Sequence, residues 1–224
     1  NILMFGPPGS GKTMLSQALI SILPPLSLDE AIEITQVYSA AGVLGQQPFI
    51  NFRPFRAPHH TASVVSVIGG GANPRPGEIS LAHRGVLFLD EIAEFQRSLL
   101  ESLRQPIESG SVCVSRARGV LNFPARFFLA AAMNPCPCGY FGDSEKECRC
   151  TANEVFKYQK KLSGPLLDRI DIQIDVPRIK IEELRKGNKD AVLNKKIRDS
   201  VIKAREIQKE RFSKIKHKIN LNSE

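Results

Sequence analysis

The apolar residues of this chain fall into short uninterrupted runs separated by longer amphipathic stretches. Residues 2–5, 85–89 and 127–133 are apolar almost throughout, which is typical of strands that a parallel sheet buries on both faces. Helical spacing or helix-start signals occupy the stretches around them, over residues 12–22, 27–38, 98–109 and 151–162. This alternation predicts an α/β fold in which a parallel sheet lies between helices.

Two other segments depart from this alternation. Residues 42–84 are rich in glycine and proline, and a long irregular stretch inside a compact domain usually has a function. Residues 111–124 contain two apolar segments around a basic tip with Arg116 and Arg118, a pattern that indicates a β-hairpin. Cys113 lies in the first of these apolar segments, so we expect it to pack in the core.

The last third of the chain ends in a basic region. Residues 170–176 alternate apolar and polar side chains, which predicts a half-buried strand. Residues 1–177 contain 16 basic and 16 acidic residues, whereas residues 178–224 contain 15 and 7, so the net charge of +8 lies in the second part. There we expect a short helix over 181–186 and a longer basic helix over 191–212. Such a helix is either a solvated face or a nucleic-acid surface.

The first apolar run leads directly into a phosphate-binding motif. The segment has the pattern G-x-x-x-x-G-K-[ST] between a strand and a helix, which is the context that this motif requires. Glycines allow backbone N–H groups to surround a phosphate, the lysine adds a positive charge, and the threonine hydroxyl suits Mg²⁺. We therefore expect the nucleoside triphosphate to bind at Gly6, Pro7, Pro8, Gly9, Ser10, Gly11, Lys12 and Thr13.

The second apolar run ends in two adjacent carboxylates, Asp90 and Glu91. In open α/β sheets ligands bind at the carboxyl ends of the strands. We expect Asp90 to hold Mg²⁺ together with Thr13, and Glu91 to polarise the attacking water. A carboxylate pair in this place favours hydrolysis over phosphoryl transfer to another substrate. The alternative is an acidic helix cap.

Four of the five cysteines form two closely spaced pairs, Cys136 with Cys138 and Cys148 with Cys150. Four thiolates around one loop suit a tetrahedral structural Zn²⁺ ion. The C-x-C spacing is a weaker signal than C-x₂-C, and disulfides or free thiols remain alternatives. We expect the protein to be cytoplasmic, and disulfides are rare in that compartment.

Several strings of residues together resemble the magnesium-chelatase-like branch of the AAA+ ATPases, and within it the bacterial YifB/ComM proteins. The resemblance covers essentially the whole chain. It rests on Arg53-Pro54-Phe55-Arg56-Ala57-Pro58-His59-His60-Thr61, Pro74-Arg75-Pro76-Gly77-Glu78-Ile79-Ser80-Leu81-Ala82-His83, Asn134-Pro135-Cys136-Pro137-Cys138-Gly139 and Leu166-Leu167-Asp168-Arg169.

This resemblance implies an ATP-driven hexameric ring that, in the ComM members, moves branched DNA during natural transformation. It implies that Asn134 is the first sensor, and that Arg169 is an arginine finger acting on a neighbouring subunit. An ion pair of Arg169 with Asp168 or Asp171 is the alternative. Residues 42–84 resemble the insertion in the second helix of this clade, and residues 111–124 resemble its pre-sensor hairpin.

The resemblance also organises the chain into two parts. Residues 1–177 correspond to the AAA+ core, including a cysteine-rich loop over 136–150, and residues 178–224 to the basic start of a helical lid. A Lon-like N-terminal domain and a second sensor arginine are implied outside this sequence. The sequence starts within a strand and without Met, which suggests a piece of a longer protein.

Four arginines are candidates for contacts with DNA. Arg116 and Arg118 are clustered at the expected hairpin tip, although a solvated turn is the alternative. Arg53 and Arg56, beside His59 and His60, suit contact with phosphate, either of DNA or of a neighbour's nucleotide. Hydrogen bonds that fasten the loop are an equal alternative for this second group.

Two rival functions remain open at this point. One is the motor subunit of a metal-chelatase complex, which needs a partner subunit, and the other is a remodeller of proteins. No apolar stretch approaches the roughly 18 residues that a membrane helix needs, so we expect no membrane partner. DNA remains the favoured substrate, and salt-sensitive binding through Arg116 and Arg118 distinguishes it from the rivals.

Overall fold

A five-stranded parallel sheet forms the centre of the computed structural model, which describes residues 1–71, 73–116, 119–178 and 191–213. Its strand order is β2-β5-β8-β1-β9. In chain order the strands are β1 Ile2–Phe5, β2 Phe55–Arg56, β3 Gly69–Gly70, β4 Arg75–Pro76, β5 Val86–Leu89, β6 Ser111–Arg116, β7 Gly119–Pro124, β8 Phe128–Met133 and β9 Ile172–Asp175.

Helices surround this sheet and connect its strands. They are α1 Lys12–Ile22, α2 Leu28–Ala41, α3 Val64–Ile68, α4 Glu78–Leu81, α5 Arg97–Ser102, α6 Arg104–Ser109, α7 Ala152–Gln159, α8 Gly164–Leu167 and α9 Ala191–Ser213, with a 3₁₀ turn at Ile92–Glu94. The parallel sheet and its helices confirm the predicted α/β P-loop fold.

The register of the sheet brings distant parts of the chain to one edge. Ile2 of β1 is opposite Ala130 of β8 on one side and Ile172 of β9 on the other, while Leu89 at the end of β5 is opposite Ala131. Because all these pairs are parallel, the carboxyl ends of β1, β5 and β8 meet at the same edge. The residues that follow these three strands therefore become neighbours.

Both faces of the central strands are buried, which explains why their sequences are continuously apolar. Leu3, Leu87 and Leu129 belong to one hydrophobic cluster. Met4 and Phe88, which point to the other face, belong to a second cluster. A strand with water on one face would alternate with polar residues instead.

Several boundaries agree with the sequence, and their caps explain them. The helix-start signals at residues 27 and 151 prove to be capping boxes, formed between Ser27 and Glu30 at α2 and between Thr151 and Glu154 at α7. The helix α2 continues to Ala41, beyond the predicted end at residue 38, because Gly42 supplies the left-handed conformation that ends it.

Residues 42–84 are less irregular than the sequence suggested. They contain β2 at the edge of the main sheet, the short pair β3 and β4, and the helices α3 and α4. Ile50 and Leu81 from this segment pack with Ile34 and Val37 of α2. This segment thus has its own small core against α2.

One packing prediction was wrong and another holds only in part. Cys113 is exposed, because the alternation along β6 turns Val112 and Val114 inward instead. Of the apolar positions predicted to be buried over 170–176, Ile170 and Val176 are buried, whereas Ile172 and Ile174 in β9 are 50% and 37% exposed. This strand is at the edge of the sheet, where the described residues leave much of its surface uncovered.

The remaining predictions about segments have mixed outcomes. The hairpin is confirmed, since β6 and β7 pair antiparallel, and the basic helix is confirmed by α9. The predicted helix over 181–186 lies outside the described residues, so the division at residues 177 and 178 stays a prediction. Within the described ranges, no helix has the combined length and apolar character of a membrane span.

Candidate nucleotide site

The phosphate loop, residues 6–13, connects the end of β1 to the start of α1. Gly9 and Gly11 have φ angles of 77° and 90°, a region that favours glycine. A Cβ on Gly6 would overlap the carbonyl oxygen of Val176, so this position also requires glycine. The sequence therefore selects a loop whose backbone can turn tightly around an anion.

Lys12 is folded back into the phosphate loop. Its Nζ donates to the carbonyl oxygens of Gly6 and Pro7 at 2.7 and 2.9 Å, and the residue is only 8% exposed. Burial lowers the pKa of Lys12, while the charges of Asp90 and Glu91 oppose this shift. The ammonium group is thus poised beside the loop with carboxylates nearby.

The two oxygen ligands expected for Mg²⁺ lie side by side. The hydroxyl of Thr13 donates to Oδ2 of Asp90 at 2.8 Å, and Oδ1 of Asp90 accepts from the backbone N–H of Glu91 at 3.0 Å. A hydroxyl and a carboxylate at this separation fit Mg²⁺, which prefers oxygen ligands and few protein groups. This contact joins α1 to the end of β5.

Glu91 has an unusual backbone conformation and a partner that the sequence did not reveal. Its φ and ψ are 50° and 47°, a left-handed conformation that is uncommon for a residue other than glycine. Its Oε2 lies 3.7 Å from Nδ1 of His60. The His60 ring is held between His59, at 4.1 Å between centroids, and the ring of Phe95, at 6.4 Å.

Asn134 follows β8 and completes the same edge. Its Oδ1 lies 3.3 Å from Nζ of Lys12, so its side chain reaches the phosphate loop. The five side chains follow three strand ends. Two donors, two carboxylates and an amide are thus placed at one edge of the sheet, from Lys12, Thr13, Asp90, Glu91 and Asn134.

Comparison with known proteins agrees with this geometry. The family described as "Magnesium chelatase, subunit ChlI" matches residues 1–184. Over 222 residues the chain is 47% identical to the "Competence protein ComM" of Haemophilus influenzae. The matched region covers 98% of this chain and 43% of the relative.

The chain belongs to the magnesium-chelatase-like AAA+ family, on its YifB/ComM branch. It is also 45% identical over 215 residues to the "Uncharacterized protein YifB" of Escherichia coli, covering 96% of this chain and 42% of the relative. The "Magnesium-chelatase 38 kDa subunit" of Rhodobacter capsulatus is more distant, at 23% over 228 residues, covering 92% and 61%. The chain therefore spans less than half the length of the YifB/ComM relatives that it matches.

Arg169, the residue that the family resemblance marks as an arginine finger, is bound within its own chain. Its guanidinium donates to the carboxylate of Glu108 at the end of α6 and to the carbonyl oxygen of Pro165. These bonds do not involve Asp168 or Asp171, the alternative partners that the sequence suggested. Engagement of a neighbouring subunit would require this pair with Glu108 to open.

Arg53 and Arg56 are used inside the fold, which favours the alternative that they fasten the loop. Arg53 donates to the carbonyl oxygens of Pro24 and Arg84, both at 2.6 Å. Arg56 makes a bidentate pair with Glu78 at 2.6 and 2.7 Å. The side chain of Arg116 and all of Arg118 lie outside the described residues.

A buried histidine, His83, links residues 42–84 to α2. In the sequence it was noted only as part of a longer motif. Its Nδ1 accepts from the backbone N–H of Arg126 at 3.0 Å, and its Nε2 lies 3.0 Å from Oε2 of Glu33. Since Nδ1 is an acceptor, the neutral ring donates from Nε2. Burial lowers the pKa of His83, although the hydrogen bond to Glu33 opposes this shift.

The four cysteines of this family member form one compact cluster. The Sγ separations are 3.3 Å for Cys136–Cys138, 3.7 Å for Cys136–Cys148 and 3.6 Å for Cys138–Cys148, and Cys150 completes a group within 4.8 Å. Tetrahedral Zn²⁺ with Zn–S distances of about 2.3 Å needs sulfur separations of about 3.8 Å. The donor set therefore fits one zinc ion, and all four residues are free thiols.

The thiols of the cluster influence one another strongly. Hydrogen bonds from the backbone N–H groups of Tyr140 and then Arg149 lower the pKa of Cys138 to about 6. For Cys150, a backbone hydrogen bond from Cys138 lowers the pKa, but burial and the thiols of Cys138 and Cys136 outweigh it and raise the pKa to about 12. Groups this close titrate as a set.

Proposed function

We propose that this chain is the ATP-hydrolysing core of a ring-shaped AAA+ motor that acts on DNA. The observation that carries the ATPase part is the convergence of Lys12, Thr13, Asp90, Glu91 and Asn134 at the carboxyl edge of the sheet. Sheet edges of this kind are where α/β proteins bind nucleotides.

Each of these residues has a role in the proposed reaction. Lys12 would exchange its loop carbonyls for oxygens of the β- and γ-phosphates. Thr13 and Asp90 would hold Mg²⁺, which neutralises charge on the phosphate oxygens when bound. Glu91 would orient and polarise the attacking water, and Asn134 would hydrogen-bond the γ-phosphate and that water.

We further propose that hydrolysis takes place at the interfaces of a hexamer. Arg169 would leave Glu108 and reach the γ-phosphate held by the adjacent subunit. A planar guanidinium fork matches the geometry of phosphate oxygens. In related nucleoside triphosphatases such an arginine raises turnover about 10³-fold or more.

DNA is proposed as the polymer moved by the ring. The support is the 47% identity to a protein named for competence and the excess of basic over acidic residues in 178–224. Arg116 and Arg118 at the tip between β6 and β7 are the proposed contacts with the phosphate backbone. Arg53 and Arg56 are not needed for this role, since the fold already uses them.

A chelatase-type motor is the second candidate. It is favoured by the family description and by the 23% identity to a magnesium-chelatase subunit. Such a motor would act through a partner subunit and would have no affinity for DNA. A remodeller of proteins is the third candidate, and no contact among the described residues favours it over the other two.

The deciding experiment is fluorescence anisotropy with forked and single-stranded DNA. It uses the full-length protein with Glu91→Gln, which holds ATP without turnover, at two salt concentrations and with or without ATP. Binding that requires ATP and weakens steeply with salt supports the DNA motor. No binding in either state would move the proposal to the chelatase-type motor.

A double variant Arg116→Ala/Arg118→Ala tests the proposed contact. Its matched control is Lys157→Ala/Lys160→Ala, which removes the same charge from exposed positions in the last turn of α7 and directly after it. Loss of DNA affinity in the first variant alone supports the assignment, whereas equal loss in both would point to net charge.

We also propose that the four cysteines bind a structural Zn²⁺ ion. All four positions of a tetrahedral site would be filled by protein, which leaves no open position for catalysis. A cytoplasmic location is proposed with it, because free thiols persist in a reducing compartment.

A further inference from the structure

The cysteine loop, residues 136–150, lies directly against the phosphate loop. Gly139 has a φ of 85°, and its backbone N–H donates to the carbonyl oxygen of Cys136 at 3.0 Å. A Cβ on Gly139 would lie 2.7 and 2.8 Å from Cδ and Cγ of Pro8. The turn that contains the first two cysteines therefore brings the backbone of Gly139 against the side chain of Pro8 in the phosphate loop.

The other half of the cysteine loop is connected to the start of the phosphate loop. Asp143, whose side chain is 1% exposed, accepts from Nη2 of Arg178 at 3.3 Å. Two residues earlier, the N–H of Val176 donates to the carbonyl oxygen of Phe5 at 2.6 Å, and the Val176 carbonyl is pressed against Gly6. The cysteine loop thus supports the phosphate loop from two directions.

Few residues of the cysteine loop are buried, and most of its other contacts are polar. In the range 136–150, Cys136 and Gly139 are buried, whereas residues 144–147 are exposed and three of these four are charged. A loop with so few apolar contacts opens easily unless another bond holds it. Four thiolates gathered around one ion provide such a bond, because the ion cross-links both ends of the loop.

We propose that zinc bound by the four cysteines fixes the cysteine loop against Pro8, and that zinc binding and ATP binding are therefore coupled. This proposal rests on the proposed function in one respect, since it assumes that the phosphate loop binds ATP. Zinc keeps the wall of the nucleotide site in the conformation that accepts the phosphates. By linkage, ATP must then tighten zinc binding by the same factor.

The first test measures both directions of this coupling in the full-length protein. Zinc content is determined by elemental analysis, and the affinity for a fluorescent ATP analogue is measured before stripping with a chelator, after stripping, and after adding back zinc alone. We expect a zinc content near one ion per chain. Stripping should weaken binding of the ATP analogue by about 5- to 150-fold, which corresponds to a coupling free energy of about 1–3 kcal/mol. Adding back zinc should restore this affinity. ATP should slow the release of zinc to a colorimetric chelator.

The outcomes separate this proposal from the proposed function. Equal affinity of the stripped and loaded proteins for the ATP analogue would overturn the coupling and leave ATP binding intact. Failure of both forms to bind the analogue would overturn ATP binding itself. Absence of zinc, or iron in its place, would overturn the assignment of the metal.

A pair of glycine variants tests the contact without touching a ligand. In Gly139→Ala the new methyl group must displace Pro8, whereas in Gly142→Ala it meets no atom within 4 Å, and both glycines have similar φ angles of 85° and 78°. We expect only Gly139→Ala to weaken binding of the ATP analogue, with full zinc content in both. Equal affinities in the two variants would refute the contact as the route of coupling.

Discussion

Replacing Lys12 by alanine should remove the main positive charge from the phosphate loop. In the structure its ammonium group makes hydrogen bonds of 2.7 and 2.9 Å to two backbone carbonyls, and it lies 3.3 Å from Asn134. These distances show that Nζ reaches the centre of the loop. With a nucleotide bound, the same reach allows two charge-assisted hydrogen bonds to phosphate oxygens.

The magnitude follows from these two bonds. Each hydrogen bond to a charged group contributes about 1.5–3 kcal/mol, so losing both costs about 3–6 kcal/mol of binding. This loss corresponds to a rise in Kd of roughly 10²- to 10⁴-fold. Titration of a fluorescent ATP analogue into the full-length Lys12→Ala variant measures it directly.

The control for this variant is Lys203→Ala, which removes a lysine from an exposed position on α9. Thermal unfolding of both variants checks that the fold is intact, since Lys12→Ala also removes the side-chain hydrogen bonds to the carbonyls of Gly6 and Pro7. A folded Lys12→Ala variant that binds the analogue within threefold of the parent protein would refute the role given to this residue.

Three further predictions concern catalysis and stability. Glu91→Gln should bind ATP normally but lower turnover by about 10²- to 10⁴-fold; normal phosphate release from this variant would remove Glu91 from its role as base. Arg169→Ala should lower turnover roughly 10³-fold. If the arginine acts on a neighbouring subunit, mixing this variant with Lys12→Ala should restore part of the activity. A mixture as inactive as its components would argue against such action. Burial lowers the pKa of His83 below its usual value of about 6.5, so the stability linked to its neutral form is present above about pH 6.5 and is lost as pH falls through the folded pKa. Thermal unfolding between pH 7.5 and 5.5 should show this loss in the parent protein and a smaller one in His83→Asn; identical pH profiles would contradict it.

The nucleotide site was predictable because its chemistry fixes short-range patterns. Lys12 and Thr13 belong to a motif with fixed spacing, and Asp90 comes directly after a run that reads as a buried strand. Once parallel strands are assumed, their carboxyl ends must meet, and the contact between Thr13 and Asp90 follows. The same argument places Asn134 beside the phosphate loop.

Contacts made by loops were not predictable in this way. The approach of His60 to Glu91 and of Gly139 to Pro8 depends on how two irregular segments pack, which no periodicity encodes. The exposure of Cys113 and Ile172 also depends on which face of a strand receives a neighbour. An apolar pattern shows that a strand has the capacity to be covered, but it does not show that another element covers it.

The position of β1 in the sheet has a consequence for how the protein is made. Ile2 pairs with Ala130 and Ile172, so the strand that begins this sequence stays without partners until a much later part has left the ribosome. At about 5–20 residues per second, this interval lasts roughly 6–35 s. During it, an apolar segment and the phosphate loop attached to it are exposed to other nascent chains. The yield of folded protein should therefore depend on translation speed and on chaperones that cover β1 until β8 and β9 arrive.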